Sequence, residues 1–518
     1  MFKVPIPVPA CTYRLAARLA RTLLCLCLPF TAAFAAQPTV GGALPAGTLQ
    51  MLERAGIRPP GVGIYIAEPG TERPLVEVAA DQSFNPASTM KLVTTIAALE
   101  LLGPEFRWYT TVLMTGRIVK GVLEGNLIVR GGNDPTLTWA RLDDLVKRLR
   151  KRGITTIQGN IVIDRTLYMA PESEALAYVA ETNNPWNSPP DSLVLNSKMV
   201  TLRFIPDTRS RTVTVSVDPP LEAVQVRGTV AFVDAPCPGN GPQFTVDASG
   251  DVDYARIRVD GTLASGCGHR SVPISVMSHR DYFQRAFAQL WANSGGGWIG
   301  RFEDIADPLK RTILLERIAS APLAEVTKDI NKTSNNLMAR QLFLEIAISA
   351  DATSPKVRTP LATRAFERVR RMLREHGIDV PDLVMENGSG LSNIERNSPR
   401  GLAQILGFAL KRPYASDLVA SLPIVGFDGT MRDRLRTSPA AGTAFLKTGT
   451  LPEVRALAGY VWDAVGKIHL VVIVVNHRNA SSSLAAIDTI IDWVHRRPNS
   501  IPETLVTAPS AVPKAAAK

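Results

Sequence analysis

The chain has 518 residues, 45% of them hydrophobic and 20% charged, with a formal net charge of +11. That length exceeds one compact core and implies two or more domains. The charge is dispersed without a long Lys/Arg run, which suits loose attraction to an anionic polymer or a membrane surface and does not indicate a nucleic-acid partner.

The first 35 residues read as an export signal. Lys3, Arg14, Arg18 and Arg21 precede an apolar run from Thr22 to Phe34, and Ala33-Phe34-Ala35 is an A-x-A site. Cleavage is expected after Ala35 or Ala36, and removing those four basic residues from +11 leaves a mature charge near +7. An uncleaved anchor is the alternative, although the run is short for a membrane-spanning helix. A lipoprotein is disfavoured because Leu24, rather than a small residue, precedes Cys25. Cys11, Cys25 and Cys27 leave with the signal, so the mature chain keeps Cys237 and Cys267. In an oxidising compartment these could pair as a disulfide; two buried free thiols are the alternative.

"GVGIYIAEPG" (61–70) and "RPLVEVAA" (73–80) alternate like paired strands. They lead into "NPASTMKLVTTIAALELLG" (85–103), a turn followed by an amphipathic helix with apolar residues at Leu92, Ile96 and Leu99 and a stop at Gly103-Pro104. From about Arg107 to residue 277 short β-like runs dominate, interrupted by a helix over 142–153. Helical periodicity returns at 280–296 and prevails from Pro322, and the chain closes with strands at 443–451, 455–463 and 468–477 and a helix at 483–497. Both ends share a mixed α/β style around a β-rich middle. The Pro/Ala-rich stretch 499–518 reads as a disordered tail.

Three short segments could carry chemistry. Ser88 and Lys91 sit three apart at a helix start, on one face. A chain of this length shows on the order of one Ser-x-x-Lys by chance, and a helix N-terminus with a solvated lysine is the plain alternative. The helix behind the pair is apolar enough to be buried, where desolvation disfavours charged lysine, and a neutral amine beside a hydroxyl is a competent general base. Ser334 and Asn336, in "NKTSNNLMARQ", fall at a break between helical runs, where helix capping is the simpler role. Lys447-Thr448-Gly449-Thr450 lies in an alternating stretch that puts Lys447 and Gly449 on one face and Thr448 and Thr450 on the other. A cation beside a hydroxyl can receive a carboxylate, and the glycine lets another backbone or a substrate chain lie close. The six histidines form no H-E-x-x-H pattern, "GGNDPTL" lacks the P-loop Gly-Lys-Ser/Thr ending and reads as a turn, and "NGSGLS" (387–392) reads as a loop near the site. No metal or cofactor is expected.

Together, Ser-x-x-Lys, Ser-x-Asn and Lys-Thr-Gly in this order are the signature of penicillin-binding proteins and serine β-lactamases. "PASTMKLVTTIAALELLGPEFRW", "LEGNLIVRGGNDPTL", "ENGSGLSN", "LPIVGFDGTMRDRL" and "LKTGTL" extend the likeness over residues 45–495. The chain resembles the class C low-molecular-mass penicillin-binding proteins, D-alanyl-D-alanine carboxypeptidase/endopeptidases of the type-4 kind. The resemblance implies an α/β fold, a serine β-lactamase/transpeptidase-like domain with a large β-rich insertion. Residues 37–105 and 320–498 would form the catalytic domain, and 106–319 an accessory region of two subdomains.

It also implies roles. Ser88 would be the nucleophile, Lys91 its base, Ser334 a proton relay and Asn336 a holder of Lys91 and the substrate amide. Lys447 would be a second cation near Lys91 and, with Thr448 and Gly449, part of the carboxylate-binding strand. The N–H groups of Ser88 and Thr450 would form the oxyanion hole. The partners would be peptidoglycan stem peptides in the periplasm, with β-lactams as inhibitors and at most peripheral membrane association. A catalytically silent wall-binding scaffold and a true β-lactamase are the alternatives. Relatives often carry Asp where Asn387 stands. The segment 183–197 looks shorter than in relatives, so Asp191 is a candidate for recognising the diaminopimelate amine.

Overall fold

The computed structural model describes residues 44–497 except 72, 169–186, 251–254, 276, 306–310 and 352–358. The expected signal peptide and tail therefore lie outside the described residues. The most apolar strand, Ile468–Asn476, sits in the middle of a five-stranded antiparallel sheet. Its order is 444–451, 454–462, 468–476, 62–67, 76–78, so it joins the two ends of the chain. From Leu470 to Val475 this strand is apolar at every position because both its faces are covered. Leu470, Val472 and Val474 enter one core with the helices Met90–Leu102, Leu323–Thr333, Asn336–Asp351, Leu361–Glu375 and Pro399–Ala409. Val471, Ile473 and Val475 enter a second core with the helices Ala46–Arg54 and Leu484–Arg496. Each such side chain contributes about 1.5–3 kcal/mol by leaving water.

The Met90–Leu102 helix is not amphipathic as its sequence suggests. Every residue from Met90 to Leu99 is buried, Lys91, Thr94 and Thr95 included, because other helices and the sheet surround it. It ends where Gly103, at φ +84°, turns the chain and donates to Leu99 O.

Between residues 108 and 320 the described residues build four further sheets around their own core. The entry and exit of this region are tied together: Trp108 N–H donates to Ser320 Oγ at 3.0 Å and Ser320 N–H to Trp108 O at 2.9 Å. Strands Leu127–Arg130 and Ile161–Asp164 run parallel, and the connecting helix Trp139–Lys151 buries Leu142, Leu145, Val146 and Leu149 at helical spacing. Thr138 caps that helix by accepting from Arg141 N–H, which starts it three residues before the span read from sequence. Cys237 and Cys267 are disulfide-bonded, S–S 1.97 Å, beyond the ends of the parallel strands Val224–Val233 and Ala255–Ala264. No described helix is long and apolar enough to cross a membrane.

The "GGNDP" segment is more than a turn. Buried Asn133 donates to Glu345 Oε2 (2.7 Å) and Gln341 O (3.1 Å) and accepts from Tyr168 OH (2.7 Å), and Trp108 Nε1 also reaches Glu345 Oε2, at 3.0 Å. This polar knot docks the strand-rich region onto the helix that begins at Asn336. Burial pushes the Glu345 carboxyl up, against the donation from Asn133 and Trp108.

Candidate active site

Ser88 lies in a single 3-10 turn, Ala87–Thr89, that feeds directly into the Met90–Leu102 helix. Asn85 shapes the approach: its Oδ1 accepts from Ala87 N–H at 2.9 Å and its Nδ2 donates to Ser392 O at 2.8 Å. Asn476, at the end of the central strand, grips the Asn85 backbone on both sides, accepting from its N–H (2.8 Å) and donating to its C=O (3.0 Å). Ala87 is held at φ +45°, a conformation costing about 1–3 kcal/mol for a residue with a Cβ. The surrounding clamps maintain that turn and present Ser88 half-buried at the helix start.

Lys91 is one turn on and fully buried. Its Nζ lies 3.0 Å from Ser88 Oγ, and it donates to Asn336 Oδ1 at 2.6 Å and to Ser389 O at 2.5 Å. Burial, then the nearby Lys447, hold its pKa well below the ordinary lysine value; Glu395 opposes this and Arg340 reinforces it. A neutral amine has two N–H donors and one lone pair. Asn336 Oδ1 and Ser389 O are acceptors only, so they take both donors and leave the lone pair toward the Ser88 hydroxyl.

Ser334 ends the Leu323–Thr333 helix in the left-handed region, φ +58° and ψ +39°, and the next helix starts at Asn336. This break turns Ser334 toward Lys447, which donates to Ser334 Oγ at 2.8 Å and to Thr448 O at 2.7 Å. Lys447 is not the simple cation that its residue type implies. It is fully buried, and desolvation lowers its pKa to about 7, so near neutral pH it carries only part of a charge until an anion joins it.

Lys447 belongs to Ala444–Leu451, the edge strand of the sheet. Lys447 and Gly449 are buried, Thr448 is half-buried and Thr450 exposed. On the outer edge Val425 N–H bonds Ala444 O and Leu446 N–H bonds Pro423 O, both at 2.9 Å. Alternation along an antiparallel strand therefore aims the N–H and C=O of Thr448 and Thr450 at that same edge, past the point where the 423–425 segment covers it. Thr448 Oγ1 donates to Thr430 Oγ1 at 2.7 Å. Thr430 follows Asp428, which is ion-paired to Lys332 Nζ at 2.6 Å, two residues before Ser334. Gly449 is needed for a backbone neighbour: a Cβ there would stand 2.8 Å from Pro86 O and 3.1 Å from Ala87 Cβ.

The structure thus joins Ser88, Lys91 and Asn336 in one hydrogen-bonded group and Ser334, Lys447 and Thr448 in a second, with Lys447 near enough to Lys91 to act on its charge and with Gly449 and Thr450 on the Lys447 strand. Asp191 is not brought in as an unpaired acid. Its Oδ2 is ion-paired to Arg165 at 2.6 Å and its Oδ1 accepts from Leu193 N–H. Sequence reading missed the part taken by Ser389, whose backbone carbonyl rather than hydroxyl meets Lys91, and by Glu395 behind it. A backbone contact leaves no residue-type signal; the Gly-Ser-Gly run was its only trace. Among the described residues no cluster of His, Cys, Asp and Glu could hold a metal ion.

The model of the D-Ala-D-Ala carboxypeptidase 3 (S13) family matches residues 51–497. The chain belongs to this family. It is a serine-type D-Ala-D-Ala carboxypeptidase. A D-alanyl-D-alanine carboxypeptidase DacB of Haemophilus influenzae is 28% identical over 389 residues, covering 74% of this chain and 78% of the relative. A D-alanyl-D-alanine carboxypeptidase of an Actinomadura species is 26% identical over 446 residues, covering 83% and 80%. The crystal structure of penicillin binding protein 4 from H. influenzae matches with a TM-score of 0.69 at 24% identity, over 86% of this chain and 98% of that one. That likeness shows the fold, an α/β transpeptidase-like domain carrying a large β-rich insertion. A second crystal structure of the same H. influenzae protein is a complex with a β-lactam.

Proposed function

We propose that this S13 enzyme is a periplasmic, penicillin-sensitive DD-peptidase that works through a Ser88 acyl-enzyme, hydrolysing D-Ala-D-Ala termini and/or D-Ala-diaminopimelate cross-links of peptidoglycan. The observation that carries the reading is the 3.0 Å approach of a buried, deprotonation-prone Lys91 Nζ to Ser88 Oγ. Ser88 Oγ attacks the carbonyl carbon of the penultimate D-alanine while its proton passes to Lys91 Nζ. The negative charge on the carbonyl oxygen falls between the N–H groups of Ser88 and Thr450, donors of a kind worth about 3–4 kcal/mol each. Collapse breaks the C–N bond, and the proton that Lys91 accepted passes by way of Ser334 Oγ to the leaving amine, which leaves Lys91 neutral again. Water then attacks the ester and gives its proton to Lys91, which returns it to Ser88 Oγ as the ester C–O bond breaks.

The substrate backbone would extend the sheet along the open edge at Thr448 and Thr450. Its terminal carboxylate would meet Lys447 and Thr448, and that anion would draw Lys447 back to its charged form. A β-lactam would enter by the same attack and remain as the ester; that the H. influenzae protein crystallises in complex with a β-lactam supports binding of this ligand class. The export signal read at residues 1–35 and the wall polymer as substrate support a periplasmic site of action.

The test is a digest of purified muropeptides followed by mass spectrometry. Pentapeptide monomers should lose one D-alanine and D-Ala-diaminopimelate dimers should fall to monomers. Loss of D-alanine with dimers left intact would restrict the enzyme to carboxypeptidase action. No cleavage of either would contradict the reading.

A further inference from the structure

We infer that Glu395 is a positioning residue of this active site: its buried carboxylate holds the 386–390 loop so that Ser389 O fixes Lys91 and Gly390 backs the Ser88 turn, and it sets an anion behind Lys91. The inference rests on the reading of Lys91 as the base.

The Glu395 side chain has no solvent exposure. Its Oε1 accepts from the N–H groups of Glu386 (3.0 Å), Asn387 (2.9 Å) and Gly388 (2.7 Å), and its Oε2 from Gly390 N–H (2.8 Å). Four backbone dipoles therefore converge on one carboxylate, which accepts at both oxygens and donates at neither. Burial pushes the carboxyl up, and these four donors resist it. What they hold is a loop with two outlets to the catalytic groups. Ser389, between the bonded Gly388 and Gly390, gives its carbonyl to Lys91 Nζ at 2.5 Å. Gly390, at φ +81°, lies so near the Ser88 turn that a Cβ would stand 1.9 Å from Ala87 O and 2.7 Å from Ser88 N. A third tie, Thr94 Oγ1 to Gly388 O at 2.6 Å, fastens the loop to the catalytic helix one turn past Lys91. Moving the carboxylate would thus shift both the partner that orients the Lys91 lone pair and the wall behind the nucleophile.

Charge acts in the same place. The charged groups facing Lys91 are Lys447 on the edge strand, Arg340 on the Asn336–Asp351 helix and Glu395 from this loop, of which only Glu395 favours protonated Lys91. A neutral isostere should therefore misplace Ser389 O and also make Lys91 easier to deprotonate. In Glu395→Gln one oxygen can keep the donors of Glu386, Asn387 and Gly388, but the amide nitrogen then faces Gly390 N–H, donor against donor.

The experiment measures the rate of acylation by a fluorescent penicillin from acid to alkaline pH for the wild type, Glu395→Gln and Glu395→Asp, each checked by circular dichroism and thermal unfolding. For folded Glu395→Gln the plateau rate should fall by on the order of ten- to a hundredfold, as misplacement of a catalytic group does. The acid limb, where Lys91 becomes protonated, should move to lower pH. Glu395→Asp keeps the charge and shortens the reach, so its plateau should fall while the limb stays in place. That variant alone decides the matter if the glutamine protein does not fold. A wild-type plateau in either folded variant, or an unmoved acid limb in Glu395→Gln, would overturn the inference. A wild type that is never acylated would instead remove the reading of Lys91 on which it rests.

Discussion

Lys91→Arg should lower the rate of acylation by a penicillin about 10³-fold or more, the scale of losing a general base that acts with its nucleophile as a unit. The substitution retains a positive charge, so it separates the two possible uses of the residue. If Lys91 served as a fixed cation, arginine could replace it in part. If it serves as a base, arginine cannot, because guanidinium does not lose its proton in proteins. The site favours the second use on geometry. Asn336 Oδ1 and Ser389 O saturate the donors of a neutral amine, and Ser88 Oγ, at 3.0 Å, meets what remains. Full burial and the neighbouring Lys447 and Arg340 all disfavour the protonated form. Stopped-flow acylation of the folded variant reads the outcome, and a rate above a tenth of the wild type's would show that Lys91 is not the base.

Gly390→Ala should be the most damaging substitution of a single hydrogen near the site. At φ +81° an L-residue is strained, and the new Cβ would overlap Ala87 O at 1.9 Å and Ala87 C at 2.3 Å, both backbone atoms that cannot rotate away. Conformational strain and overpacking together cost about 3–5 kcal/mol. The Ser88 turn cannot yield cheaply, because Asn85 and Asn476 already hold it. The expected result is a lower thermal midpoint together with loss of penicillin acylation in the molecules that remain folded. A variant of wild-type stability and acylation rate would mean that the loop does not abut the nucleophile as described.

These two residues mark how far the sequence could be read. Ser88 and Lys91 were conspicuous because helical spacing is local: three residues apart is one face, whatever the rest of the chain does. Strand alternation did the same for Lys447 and Gly449 against Thr448 and Thr450. Ser334 and Asn336 looked like helix capping, and only the motif order raised them above it. The site parts that act through backbone had no such signature. Ser389 contributes a carbonyl that every residue possesses, and nothing in the sequence sets Glu395 apart from any other acid; only the fold converges four N–H groups on it.

Burial was legible only in part. The helix after Ser88 is apolar enough to be buried, but its enclosure on every side from Met90 to Leu99 comes from partners in distant parts of the chain. The same enclosure turns Lys447 from a permanent cation into a group that titrates near neutrality. In the middle region the β character was legible from short alternating runs. The pairing was not, because the parallel match of 127–130 with 161–164 and the neck at Trp108 and Ser320 join residues far apart in sequence. Asn133 passed for a turn residue for the same reason: its partners Gln341 and Glu345 lie more than 200 positions away.

The central claim is that Ser88 becomes the acyl-enzyme. It is tested most directly by incubating the protein with a penicillin and measuring the intact mass, then locating the adduct by peptide mass spectrometry. The wild type should gain the mass of one penicillin, carried on the peptide containing Ser88, and Ser88→Ala should gain none. An adduct on Ser334 or Ser389, or a wild-type protein that stays unmodified, would contradict it.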